Sequence, residues 1–181
     1  MSPLSNKTRL YEALGQIVVS FKTLEQGIDG LILCSLDSPV TQGAILISTL
    51  SFPQKITTMH ELIRSLHTEQ ELGALSHTLE ALVERGHACA QQRNHWIRSY
   101  WVPEVDAEPG VVMRLQRAED ASGFVLVPVN IAELENFIVV LNATVAYLNG
   151  FHQKLANNFR RIQGVQVAES LLKTPRLVGQ I

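Results

Sequence analysis

The chain has 181 residues, 46% of them hydrophobic and 18% charged, which suits one well-packed domain better than two. Its formal net charge of −2 at pH 7 excludes a global electrostatic drive toward nucleic acid or an anionic membrane, so a partner of either kind would have to be met by a local patch. The first predicted helix runs from about Asn6 to Cys34, with Leu10, Leu14, Ile17, Phe21, Leu24, Ile28 and Leu31 as its buried seam, and Asp37-Ser38-Pro39 ends it. A second helical stretch begins at Thr41 and is interrupted by Ser51-Phe52-Pro53. There the serine can cap a new helix and the proline suits its first turn. The pattern then continues through Ile56, Met59, Leu62, Ile63 and Leu66, as one kinked helix or two abutting ones.

After Thr68 a third long helix is predicted to end near Trp101, ahead of Pro103. Residues 111–116 alternate in the period of a strand and Phe124 to Val129 is rich in β-branched residues, with a turn over 118–123 between them. Pro128 confines the second of these strands to a sheet edge. Asn130-Ile131-Ala132-Glu133 has the spacing of a capping box and opens a fourth helix, whose seam is Leu134, Phe137, Leu141, Val145, Leu148, Leu155 and Phe159. The predicted architecture is therefore mainly all-α, a four-helix up-and-down bundle over residues 1–164 with a small β-hairpin at 110–129 inserted before the last helix. Beyond Gly164 the pattern fades, which predicts a mobile or partner-bound tail at 165–181.

Cys34 and Cys89 fall within apolar helical patterns and read as small core residues. No basic-then-apolar leader opens the chain and no uninterrupted apolar run reaches bilayer length, so the expectation is a reducing cytosol and no membrane contact. The six histidines are scattered, with none of the close Glu-x-x-His or His-x3-His spacings of bundle metal sites, so neither a metal nor another cofactor is expected. From His152 onward, Lys154, Arg160, Arg161, Lys173 and Arg176 face the single acid Glu169. A locally basic end of this kind is ordinarily just solvated.

The most telling stretch is Arg93 to Trp101. Leu72, Leu75, Leu79, Leu82, Gly86 and Cys89 recur at the steps of one helix face, and the next step lands on Arg93, with Ile97 and Tyr100 continuing it. At about 100° per residue, His87, Asn94, Arg98 and Trp101 gather along one edge of that stripe. An inward guanidinium is costly unless something answers it. One answer is an ion pair with Glu25 or Asp29 on the first helix, which would make Arg93 a register element. Another is a ligand. Trp96, Tyr100 and Trp101 read as core or subunit-contact aromatics, with base stacking as the alternative. Glu133 and Glu135 read as capping and dipole-complementing acids.

Arg93-Asn94 near the end of a bundle's third helix, followed by a short apolar step and Ser99-Tyr100-Trp101, resembles the signature of the higher-eukaryote and prokaryote nucleotide-binding (HEPN) domains. Active members pair an arginine, its polar neighbour and a histidine after a gap of four to six residues into a metal-independent ribonuclease site composed across two subunits. The resemblance places the arginine at Arg93 and the polar neighbour at Asn94. Where the histidine is expected, this chain has Arg98. An arginine holds a phosphate but cannot shuttle a proton near neutral pH. His95, two positions from Arg93, points about 200° away on the helix, whereas His87 shares the edge of Asn94 and Arg98. The resemblance thus implies a homodimer that is catalytically degenerate and binds RNA, a nucleotide or a protein such as a nucleotidyltransferase-like antitoxin, with Trp101 beside the ligand. A ribonuclease toxin with an altered site, in which Arg98 or His87 replaces the usual histidine, and a purely structural adaptor bundle are the alternatives.

Overall fold

The computed structural model of the chain describes residues 5–36, 40–105, 108–118 and 123–173, the side chains of 40 and 159–173 excepted. It is mostly helical with one small antiparallel sheet. The order is α1 (Asn6–Ser35), α2 (Val40–Ser48), α3 (Phe52–Leu66), α4 (Glu69–Leu72), α5 (Ala74–Ile97), β1 (Tyr100–Val102), β2 (Val111–Arg117), β3 (Phe124–Asn130) and α6 (Ile131–Lys173).

Local chemistry sets most of these boundaries. The Ser5 hydroxyl accepts from the Thr8 amide at 3.2 Å and starts α1. At its other end, the Leu36 amide reaches back to the Ile32 and Leu33 carbonyls, and the predicted stop at residues 37–39 lies outside the described residues. The Gln54 side-chain oxygen accepts from both the Ser51 amide and hydroxyl, with Pro53 in the first turn of α3. Asn130 Oδ1 accepts from the Ala132 amide at 2.9 Å, and Glu133 reaches back to the Asn130 amide, which opens α6 as its capping pattern predicts.

The predicted third helix is corrected at both ends. Gly73, at φ 49°, adopts a left-handed conformation that L side chains rarely take, and it separates the short α4 from α5. At the other end α5 stops at Ile97 instead of Trp101, because the carbonyls of its last turn find new partners. The Arg98 amide still closes the regular helical bond to Asn94 O, but the next two carbonyls take side chains, His95 O the Ser99 hydroxyl at 2.6 Å and Trp96 O the Trp101 indole at 3.1 Å. Tyr100 therefore leaves the helical stripe and pairs with Leu115 as part of β1, so the predicted hairpin becomes a three-stranded sheet of order β1-β2-β3. Pro128 sits on the edge strand β3, opposite Met113, where its missing N–H is tolerated.

In the core, α1 packs against α6, α3 and α5, and α5 packs against α3 and α6. Six of the seven residues predicted for the α1 seam are buried, Leu14 being half-buried. In α6, Leu134, Phe137, Leu141, Leu148 and Leu155 are buried and Val145 half-buried, while the Phe159 side chain lies outside the described residues. A Cβ on Gly86 would stand 2.7 Å from Ile56 Cδ1, so the glycine is what lets α5 lie close on α3.

The helices do not simply alternate in direction. Phe21 meets Phe52 with ring centroids 4.5 Å apart, and Glu25 and Asp29 meet Lys55, so contacts advance together along α1 and α3. The short α2 makes the return leg that an alternating bundle would assign to a full helix. Along α5 and α6 the order is opposite, with Arg85 on Tyr147 and Cys89 on Thr144.

Three further expectations change. Cys34 is exposed, while Cys89 is buried as expected. Helix α6 runs through Gly164 to Lys173, so the boundary expected at 165 falls inside a helix, and 174–181 lie outside the described residues. Finally, the segment Ile131–Asn158 is long and apolar enough to cross a membrane by length and composition, with mean hydropathy 1.4 and 39% of the window buried. A search for uninterrupted apolar runs misses it, since Glu133, Glu135 and several asparagines punctuate the run without lowering its mean far. Most of its buried residues line the core described above.

Candidate functional site

Arg93 lies half-buried in the last part of α5, one helical step beyond buried Cys89. Its guanidinium carbon stands 5.2 Å from the centroid of the Phe21 ring on α1, and its Nη1 donates to Asn94 Oδ1 at 2.9 Å. Its Nε is buried and has no hydrogen-bond partner among the described residues. The predicted ion pair with Glu25 or Asp29 does not form. Lys55 takes both acids, with Nζ 2.7 Å from Glu25 Oε1 and 3.0 Å from the Asp29 carboxylate. Lys55 itself is only 5% exposed, and Lys22 adds a second bond to Glu25 at 2.9 Å. Burial pushes the Glu25 carboxyl up, but hydrogen bonds from Lys55 and Lys22 outweigh it and hold the group below its ordinary value. Burial likewise lowers Lys55, and its bonds to Glu25 and Asp29 more than compensate, so its ammonium is held charged.

The other expected site residues divide into two groups. Asn94 is half-buried beside Arg93, and Arg98 is exposed one turn further on as the C-cap of α5, in no ion pair among the described residues. These two and Arg93 share the end of the helix. His87 is half-buried about two turns before Asn94, and no hydrogen bond among the described residues joins the two. Trp101 is drawn away into the sheet. Its ring stacks on Trp96 with centroids 6.1 Å apart, on the face of β1 turned toward the helices.

That second group forms a cluster which periodicity alone did not reveal. Arg114 on β2 lies directly opposite Trp101, with its guanidinium carbon 5.9 Å from the Trp96 ring centroid, one Nη bonded to His95 Nε2 and the other to Gln116 Oε1 at 3.0 Å. Burial first, then the Arg114 charge, holds the His95 imidazole below its ordinary value of 6.5, while Glu133 opposes. Neutral His95 thus accepts a bond from Arg114 through Nε2, an electrostatic lock between α5 and the sheet. The alternation itself hid it, since Val111, Met113 and Leu115 form the apolar set and Arg114 falls on the polar one with Gln116.

The lock makes stability depend on pH with a definite sign. Because the folded imidazole titrates below 6.5, the unfolded chain binds more protons in the window beneath that value, and stability falls as pH falls through it. The melting temperature of the wild type is expected to drop between about pH 7.5 and about pH 5.5 by more than that of His95→Gln. Equal drops would show that His95 titrates as it does in water.

Between α5 and α6 lies a cleft of about 650 Å³, lined by Arg85, Cys89, Gln92, Glu133, Asn136 and Phe137 among others. It includes none of Arg93, Asn94 or Arg98. Its thiol is inert, since burial pushes Cys89 up and the Sγ is engaged with Thr144 Oγ1 at 3.6 Å. No protein-family model, no curated protein and no solved structure matches the chain.

Proposed function

We propose that the chain is a catalytically degenerate HEPN-like domain that assembles as a homodimer and binds RNA through Arg93, Asn94 and Arg98. The observation that carries this reading is the state of the Arg93 guanidinium. The carboxylates that would make it structural are engaged by Lys55, which leaves a half-exposed cation with a buried, unpartnered Nε, an amide at its side and a second exposed arginine one turn away. Two planar cations and an amide on one helix end suit a phosphodiester, which accepts bidentate bonds. With Arg98 where the family's histidine stands, the group holds a phosphate without moving a proton, so RNA is bound and not cut. No metal or other cofactor enters this reading. The helices α1, α3, α5 and α6 make up its four-helix bundle, with α5 running against the other three. The resemblance further supplies a reducing cytosol, a nucleotidyltransferase-like antitoxin as protein partner and a toxin–antitoxin or phage-defence setting.

Fluorescence anisotropy with a short labelled RNA tests the reading. Arg93→Ala and Arg98→Ala are each expected to weaken binding and to reduce the salt slope by about 0.7, the value for one lost phosphate contact on a single strand. Arg93→Ala removes a cation–π contact worth about 1 kcal/mol and leaves no orphan acid, so the melting temperature should fall by only about 2–4 °C. Absence of RNA binding by the wild type would sink the proposal. Metal-independent cleavage abolished by Arg93→Ala would make the protein a ribonuclease instead, with His87 the first residue to test. A monomeric mass in light scattering would remove the homodimer.

A further inference from the structure

The outer face of the sheet is apolar where a solvent-facing sheet is ordinarily polar. The register places Tyr100, Leu115 and Leu126 in one row and Arg117 beside Phe124 in the next. Val102, Met113 and Pro128 form the row on the other side. All of these lie on the face opposite Val112 and Val129, which are buried against the helices. Tyr100 and Phe124 are each 70% exposed and Leu126 44%. Large rings held out on a sheet mark a surface that meets a partner.

We infer that this face is a stacking platform for unpaired bases, which makes single-stranded RNA the ligand of the Arg93–Arg98 site. The inference rests on the RNA reading of that site. Charge selects a nucleic acid over an apolar protein surface: Arg98 precedes Tyr100 by two residues and Arg117 stands directly across from Phe124, and neither forms an ion pair among the described residues. Continuity points the same way, because Arg98 joins the end of α5 to β1, so a strand held at Arg93 and Asn94 reaches Tyr100 along the chain's own path. Spacing then selects unpaired bases. Two inter-strand steps and two residues along a strand put the rings about 12 Å apart, with Leu115 and Leu126 flooring the interval. A duplex keeps its base faces inside the helix and offers none to these rings, whereas a single strand can lay one base on each.

The test compares a labelled uridine-rich single strand with the same strand annealed to its complement. The single strand is expected to bind more tightly. Tyr100→Ala and Phe124→Ala should each weaken it on the order of tenfold, leave duplex affinity alone and leave the melting temperature unchanged, while Tyr100→Phe retains the affinity. Equal affinity for both forms, or binding untouched by loss of either ring yet abolished by Arg93→Ala, overturns the platform and leaves the RNA reading standing. No binding by the wild type removes both. If loss of the two rings instead converts a dimer to a monomer in light scattering, the face belongs to a second copy of the chain.

Discussion

Lys55→Met is expected to lower the melting temperature by about 6–12 °C, the largest effect of any single change at a charged residue in this protein. The side chain keeps its volume and its apolar stem, so packing is nearly preserved; what is lost is the ammonium between Glu25 and Asp29. Removing one member of a buried ion group leaves the others uncompensated, which costs roughly 3–5 kcal/mol. The lower end applies here, because the Glu25 and Asp29 side chains keep 19% and 23% of their exposure and Lys22 still reaches Glu25. Two controls identify the cause. Adding Glu25→Gln and Asp29→Asn should recover most of the loss. The deficit should also shrink in acid: Glu25 is held below its ordinary 4.5 in the folded wild type, so its contribution is present above that value and is lost as pH falls beneath it. A deficit unchanged from neutral to acidic pH would mean that Lys55 acts through packing alone.

The same residue shows where the sequence was readable and where it was not. Hydrophobic period located the seams of α1 and α6 almost residue by residue, and the capping pattern at Asn130 located the start of α6, because both signals depend only on near neighbours in the chain. Arg93 stood out as a charge in an apolar stripe. Lys55 is the same anomaly in α3, placed among Phe52, Ile56, Met59 and Ile63, and reading it would have given Glu25 and Asp29 their true partner. What periodicity cannot supply is direction: α3 runs with α1 because α2 folds back, and nothing in the α2 pattern distinguishes a kink from a return leg. The extra strand was hidden for a different reason. Tyr100 continues the helical stripe on paper and Trp101 lies along its edge, and only the tertiary partners of Trp101, the Trp96 carbonyl and Arg114 across from it, turn the segment into β1. Of the expected site, Arg93, Asn94 and Arg98 do share a helix end, whereas Trp101 belongs to the lock that fastens the sheet.

Trp96→Ala tests that lock, with an expected loss of roughly 3–5 kcal/mol, typical of truncating a large buried aromatic, and a fall in melting temperature of at least about 6 °C. Trp96 is only 4% exposed and is touched from three sides, by the tilted His95 ring with centroids 4.6 Å apart, the stacked Trp101 ring and the Arg114 guanidinium. Truncation leaves its carbonyl free to keep the Trp101 indole bond, so what disappears is ring packing between α5 and the sheet. The chain has two tryptophans, and in this variant Trp101 alone reports by fluorescence. Its emission should shift to the red at temperatures below the main transition, as the sheet loosens from the helices before they melt. Trp96→Phe should restore most of the stability and remove the early shift. Loosening β1 also displaces Arg98 and Tyr100, which straddle the junction, so under the RNA-binding proposal affinity is expected to fall together with the melting temperature. Under the same proposal Arg93→Ala is the contrast, with an expected loss of affinity at nearly full stability. A Trp96→Ala variant that melts within about 2 °C of the wild type would mean that Val112 and Val129, and not the indole, fasten the sheet to the helices.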